Sequence, residues 1–163
     1  MKNFNKKLQN LSNPKFILFS FLVAIVYLIY NILFNLIINE NFRSNSTSII
    51  FNSSLLMIWG IFIAPILETF IFQFAIIKVV KKISKSYFLA IILSACIFNI
   101  AHKFSLIEHI FFLPISFFFA YIFYIYDEIN REPFLRLVFM HFTINVILIA
   151  PYLFSNLYHS SIY

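Results

Sequence analysis

Three short clusters of chemically active side chains lie within stretches of sequence that are otherwise strongly apolar. They are Glu68 with Thr69 and Gln73, then Phe98 with His102, then His141 with Asn145. A carboxylate or an imidazole at membrane depth costs several kcal/mol unless it is paired or hydrated. We therefore expect the carboxylate, the two imidazoles and the carboxamide to act together.

These four groups are suited to the hydrolysis of a peptide bond. Glu68 can accept a proton from water as a general base, and a neutral imidazole can orient that water or protonate the leaving nitrogen. A protonated imidazole or the Asn145 amide can stabilise the oxyanion. His141 and Asn145 are four residues apart and share a helix face. Glu68 follows Pro65 by about one turn, where a kink frees backbone groups and makes room for water.

The composition places these residues in a membrane. The chain has 163 residues, of which 62% are hydrophobic and only 11% are charged. Soluble domains are near half apolar and a quarter charged, so a soluble domain of this length could not bury so much apolar surface. The hydrophobic residues occur in long runs, which is typical of membrane helices. We predict an all-α, polytopic transmembrane helical bundle with about five spans.

The second of these spans is predicted to be kinked, because it contains Gly60 and Pro65. If this stretch is one span and the N-terminus is cytoplasmic, Arg43 and Lys103 are the only Lys or Arg residues on the outer side of the membrane. The positive-inside rule therefore favours one span over a split into two. The five predicted spans are Phe16–Ile38, Ile49–Val80, Tyr87–Ala101, His109–Tyr126 and Phe134–Phe154.

The depths of the three clusters differ in this topology. Counted at about 1.5 Å per residue from the cytoplasmic ends, Glu68 lies near mid-membrane, His141 about 10 Å deep and His102 towards the outer face. The three meet only if helix ends are short, tilted or re-entrant. The predicted organisation is an N-terminal basic segment, first span and loop (residues 1–48), a core (residues 49–154) and a short polar tail (residues 155–163).

The segments APILETFIFQ, FNIAH and HFTIN, in this order, resemble the three motifs of the CPBP intramembrane proteases, also called the Abi or CAAX-protease-and-bacteriocin-processing family. The family patterns are Glu-Glu-x-x-x-Arg, Phe-x-x-x-His and His-x-x-x-Asn on successive membrane helices. The resemblance implies that Glu68 activates water and that His102 is the histidine of the second motif. It also implies that His141 and Asn145 form the third motif, with the asparagine helping to hold the oxyanion.

The first motif departs from the family pattern at two positions. Thr69 stands where the family has its second glutamate, and Gln73 stands where it has arginine. Loss of one partner alone would leave an uncompensated buried charge. With both exchanged, we expect a neutral hydrogen bond between Thr69 and Gln73. Phe98, which opens the second motif, is expected to support the site, and Asn99, three residues before this motif's histidine, is expected to support it by a hydrogen bond.

A metal site is a second reading of the same residues. One glutamate and two histidines match a catalytic zinc site in ligand type. The chain lacks a His-Glu-x-x-His arrangement, however, and the resemblance favours a metal-independent glutamate mechanism. We therefore expect no cofactor, with zinc as the alternative.

Two functions follow from the sequence. The first is an intramembrane endopeptidase that cuts a peptide or a membrane-protein substrate, in bacteriocin processing or self-immunity. The alternative is a catalytically inactive immunity or scaffold protein on the same fold, for which the altered first motif argues.

The net charge of +6 comes from basic residues at the ends of apolar runs, which is typical of cytoplasmic anchors and argues against a nucleic-acid partner. The abundance of Phe, Ile, Asn, Lys and Tyr indicates an AT-rich genome and hence a bacterial cytoplasmic membrane; nothing in the sequence sets an oligomeric state.

Overall fold

Long apolar runs, separated by short polar or proline-containing segments, form the helices of the computed structural model, which describes residues 2–38 and 54–160. No strand occurs within these two ranges. The loop that joins the first two predicted spans, with Glu40 and Arg43, lies outside the described residues. The helices are α1 (Lys2–Gln9), α2 (Asn13–Ile37), α3 (residues 54–84), α4 (Tyr87–Ile100), α5 (Leu106–Glu128) and α6 (Pro133–Ser160).

The chain is an all-α integral membrane protein with five helices that correspond to the five predicted spans. Three of them are long and apolar enough to cross a membrane: Asn13–Ile37, Leu56–Ser84 and Leu106–Glu128. Tyr87–Ile100 and Pro133–Ile149 are shorter apolar helices. Large apolar side chains remain exposed on the outer faces, for example Leu36 and Phe88, as expected where lipid rather than water surrounds the helices. The last helix continues beyond Phe154 to Ser160, and α1 was not predicted from the sequence.

The predicted irregularity of the second span is confirmed, and it takes the form of two π-helical segments. Within α3, Trp59–Ile63 and Thr69–Ala75 are π-helical, and Ala64–Glu68, which contains Pro65, lies between them. A proline cannot donate its backbone nitrogen to the preceding turn, and π segments often occur at functional sites. Glu68 is the last residue before the second π segment.

Two carbonyl groups of these π segments accept hydrogen bonds from side chains of other helices. Asn145 Nδ2 on α6 donates to the Gly60 oxygen at 2.8 Å, and Ser94 Oγ on α4 donates to the Phe72 oxygen at 2.7 Å. A backbone carbonyl that is left without a partner in an apolar interior is costly. The neighbouring helices therefore stabilise the irregular shape of α3.

Most charged residues of the described ranges lie at one end of the bundle. Asp127 near the end of α5 pairs with Lys78 of α3 at 2.5 Å and accepts a hydrogen bond from Tyr87 at 3.0 Å. At the same end, Arg136 donates to Asn13 and Arg131 donates to the Gln9 carbonyl. This end of the bundle therefore holds the first residues of α2 and α6 together with the last residues of α3 and α5. This arrangement is expected for successive helices that alternate in direction.

The bundle core lies between α3, α4, α5 and α6. α4 packs along α5, and α2 packs along α6. Aromatic rings fill the centre, where Phe98 of α4 contacts Phe72 of α3 at 5.4 Å and Phe119 of α5 at 6.0 Å between ring centroids. Both α4 and α6 pack against the middle of α3, and the three motifs meet there.

Candidate active site

Glu68 lies between the two imidazoles that the motifs predict. Its Oε2 is 3.5 Å from His141 Nε2 and 4.0 Å from His102 Nε2. The three side chains come from α3, α6 and the turn that follows α4. His102 reaches Glu68 because α4 ends at Ile100, so that His102 lies in a turn that leads back into the bundle instead of in a continuing helix.

A backbone carbonyl determines which ring nitrogen of His102 carries the proton. Its Nδ1 is 2.8 Å from the Phe98 oxygen, and a carbonyl can only accept, so Nδ1 carries the proton. In the neutral ring, Nε2 then presents a lone pair towards Glu68. The separation of 4.0 Å is too long for a direct hydrogen bond and has the length at which a bridging water is expected.

His141 presents the opposite tautomer. Its side chain is only 6% exposed, and its Nδ1 has no hydrogen-bond partner within the described residues. An unpaired buried donor costs the full desolvation penalty of that group, and buried N–H groups without a partner are rarer than buried acceptors. The favoured neutral form therefore has its proton on Nε2, which points at Glu68.

Aromatic rings hold both imidazoles in place. The ring of Phe98 is fully buried and meets the rings of His102 and His141 nearly at right angles, at centroid distances of 4.9 and 6.0 Å. Phe119 contacts the other side of His141 at 4.7 Å, and Phe112 contacts His102 at 4.6 Å. Phe98 thus contacts His102 through its backbone oxygen and contacts both imidazoles through its ring.

Asn145 lines the same cavity but is already engaged. Its amide donates one N–H to the Gly60 oxygen, as described above, which leaves a second N–H on the same nitrogen. The bond joins α6 to the first π segment of α3. Asn145 therefore fixes the distance between the helices that carry Glu68 and His141.

We expect Asn145→Ala to lower the free energy of unfolding by about 1 kcal/mol, as is typical for hydrogen bonds between membrane helices. Thermal unfolding in detergent measures this loss. Ser94→Ala is the matched control, because it removes the equivalent bond to the second π segment. Unchanged stability of Asn145→Ala, together with lost activity, would contradict a structural contribution from this amide.

The two residues that replace the family's charged pair are completely buried. Thr69 and Gln73 have no exposed surface, and Thr69 Oγ1 and both polar atoms of the Gln73 amide lack hydrogen-bond partners within the described residues. The expected hydrogen bond between them is therefore absent. The reason is the π-helical segment Thr69–Ala75, whose wider turns move residues four apart out of the alignment of an α-helix.

Asn99 does not support its neighbour in the predicted way. Its side chain bonds to His109 on α5, not to the His102 ring. His109 had no role in the sequence analysis. Only the backbone of Asn99 contacts the second-motif histidine, by accepting from the His102 nitrogen at 3.2 Å.

A cavity of about 690 Å³ opens beside these groups. Glu68, His102, His141 and Asn145 form part of its wall, and α2 forms another part with Tyr27, Tyr30 and Asn31. The lining is mostly apolar with few polar groups, as is common for ligand sites. The arrangement can hold a peptide segment and a water molecule against the Glu68 carboxylate.

The same geometry bears on the zinc alternative. Over the ranges 2–38 and 54–160, no group of three or more His, Cys, Asp or Glu side chains is arranged to hold a metal ion. One imidazole nitrogen of His102 is also occupied by the Phe98 carbonyl, although ligating histidines commonly make such a bond with their second nitrogen.

Comparison with protein families identifies one match. The family model described as type II CAAX prenyl endopeptidase Rce1-like matches residues 50–147, which is more than half of the chain and includes all three motifs. No curated protein and no solved structure matches the chain. The family match confirms the resemblance to CAAX-type intramembrane proteases that the motifs carry.

Proposed function

Since this chain belongs to the Rce1-like family of type II CAAX prenyl endopeptidases, we propose that it hydrolyses peptide bonds within the membrane by means of a water molecule activated by Glu68. The observation that carries this proposal is the position of the Glu68 carboxylate, 3.5 and 4.0 Å from two imidazoles at the wall of a cavity. A carboxylate at this depth is costly without a function that uses it.

The two histidines have different roles in this mechanism. A water between Glu68 and His102 donates one hydrogen to the carboxylate and one to the Nε2 lone pair of His102, so that its oxygen lone pair faces the cavity. Glu68 takes the proton as the water attacks the peptide carbonyl, and it passes this proton to the leaving nitrogen as the C–N bond breaks, which restores the carboxylate. The Nε2–H of His141 faces the carboxylate and stabilises its negative charge without transferring the proton. The free N–H of Asn145 is the donor for the oxyanion.

The proposed substrate is a short peptide or the membrane-proximal end of a protein, which enters the cavity from the bilayer. The family description names CAAX prenyl proteins. The abundance of Phe, Ile, Asn, Lys and Tyr in the chain is typical of an AT-rich bacterial genome and favours an unprenylated peptide, as in bacteriocin processing or self-immunity. Because Lys and Arg concentrate at one end of the bundle, we assign that end and the N-terminus to the cytoplasm.

The direct test uses the full chain, purified in detergent and incubated with a defined mixture of synthetic peptides. Mass spectrometry identifies the products, and ¹⁸O-labelled water distinguishes hydrolysis from other cleavage. One ¹⁸O atom in each new carboxyl group is the expected result. Intact peptides after incubation with protein that remains folded would contradict the proposal.

We expect this hydrolysis to continue at an unchanged rate in the presence of a metal chelator, because the mechanism assigns the activation of water to Glu68. The rate is measured with and without EDTA on the same preparation. Zn²⁺ added after EDTA is the control that shows whether any loss of activity is reversed. Loss of activity with EDTA and its recovery with Zn²⁺ would favour the zinc alternative.

A non-enzymatic function has one observation in its favour. Thr69 and Gln73 leave three buried polar atoms without partners in the described part of the chain, next to the residue that should activate water. An immunity or scaffold protein on the same fold would tolerate this. Under that hypothesis, cells that carry the Glu68→Gln variant keep the phenotype of cells with the wild-type chain. If the protein is a protease, cells that carry the variant lose that phenotype.

A further inference from the structure

His102 lies on a short turn, so its position depends on how the ends of that turn are held. The turn comprises residues 101–105 between α4 and α5. Within it, the Phe104 nitrogen donates to the His102 oxygen at 3.0 Å, and the Phe104 ring stacks on the His102 ring at 5.1 Å. A segment this short has no regular hydrogen-bond ladder of its own. The helices on either side must therefore fix it.

Asn99 and His109 join those two helices by a pair of hydrogen bonds. Asn99 Nδ2 donates to the His109 carbonyl at 3.1 Å, and Asn99 Oδ1 is 2.8 Å from His109 Nδ1. The carbonyl can only accept, so the amide orientation is determined, and Oδ1 must accept from a protonated His109 Nδ1. Asn99 is only 5% exposed, so water competes little for either bond.

We propose that Asn99 and His109 form a clamp that positions the imidazole of His102 in front of Glu68. Neither residue lines the cavity, so both are positioning residues that act through His102. The clamp fixes where α5 begins relative to the end of α4. It thereby keeps His102 close enough to the Phe98 carbonyl to hold one tautomer, with Nε2 facing the carboxylate.

The chain offers a matched pair of substitutions at His109. In His109→Asn the side-chain amide nitrogen occupies roughly the place of Nδ1, so the donor to Asn99 Oδ1 is kept. In His109→Gln the amide nitrogen corresponds to Nε2, and that donor is lost. Both replacements are neutral, polar and smaller than histidine. Asn99→Ala removes both bonds and provides a second variant should His109→Gln fail to fold.

The first readout is the tautomer of His102, which does not require any activity. The full chain labelled with ¹⁵N-histidine contains four histidines, and a His102→Gln sample identifies the signals of His102 in detergent. Wild type and His109→Asn are expected to show the Nδ1-protonated ring. His109→Gln and Asn99→Ala are expected to show a mixture of tautomers. A single unchanged tautomer in His109→Gln, or equal loss in His109→Asn and His109→Gln, overturns the clamp.

The second readout rests on the proposed function. With a peptide that the wild type cleaves, His109→Gln should lower kcat by about 10- to 100-fold at unchanged KM, because a displacement of about 1 Å can cost 10²-fold. His109→Asn should retain the wild-type kcat within about threefold, and in the His102→Gln background neither change should have a further effect. A change in KM alone overturns the assignment. If the folded wild type cleaves nothing, the proposed function fails, and the tautomer experiment still decides whether the clamp exists.

Discussion

Replacement of Glu68 by glutamine is expected to reduce peptide hydrolysis by about 10³-fold while the protein still accumulates in the membrane. Glutamine has nearly the same shape and can still accept a hydrogen bond from His141, but it cannot take a proton from water. Removal of a general base typically costs 10²- to 10⁴-fold. The single-turnover rate of a cleaved peptide measures this loss directly, because it isolates the chemical step from product release.

Glu128→Gln is the control for this experiment. Glu128 is an exposed carboxylate at the charged end of the bundle, where it accepts from Gln9 and Tyr124, and it does not line the cavity. The same chemical change there should leave hydrolysis unaltered. Activity of Glu68→Gln within tenfold of wild type would reject Glu68 as the base and direct attention to the Nε2 lone pair of His102.

The sequence predicted the members of the site because polar groups within apolar runs are expensive and therefore conspicuous. Glu68, His102 and His141 were identified in this way, and the structure brings them together although their counted depths in straight spans differed. The predicted end of the span before His102, Ala101, is one residue beyond the observed end of α4 at Ile100. What counting along straight spans cannot give is how the helices are tilted and shifted against one another, because packing between the helices sets that.

Partners within the bundle were harder to predict. Asn99 was assigned to His102 because the two are close in sequence, yet its side chain bonds to His109 on the next helix. Thr69 and Gln73 were expected to bond as residues four apart on an α-helix. Both lie instead in a π-helical segment, and no hydrogen bond joins them in the described part of the chain. The errors have different causes: closeness in sequence does not show contacts between helices, and local spacing gives the face of a helix only while its geometry is regular.

The contribution of His141 depends on which of its ring nitrogens carries the proton that faces Glu68. Its ring contacts those of Phe98 and Phe119, and its Nε2 is 3.5 Å from the Glu68 carboxylate. If Nε2 carries the proton, the imidazole stabilises the charged form of the base. Loss of a neutral N–H that faces a partly buried carboxylate leaves that charge less stabilised, which costs about 1.5 to 3 kcal/mol, as for a hydrogen bond to a charged group. The carboxylate then avoids the cost by taking a proton and ceases to act as a base.

His141→Ala is therefore expected to lower hydrolysis by about 10²- to 10³-fold, in the range found for loss of one preorganised donor. His141→Gln, whose amide nitrogen lies near the place of Nε2, should recover at least about tenfold of that loss, because it still donates to the carboxylate. Single-turnover rates of both variants decide this. Met140→Ala, a truncation of the adjacent buried side chain, measures what lost packing alone does to activity. Equal inactivity of the alanine and glutamine variants, with Met140→Ala active, would mean that His141 transfers a proton during the reaction and does not merely donate a hydrogen bond.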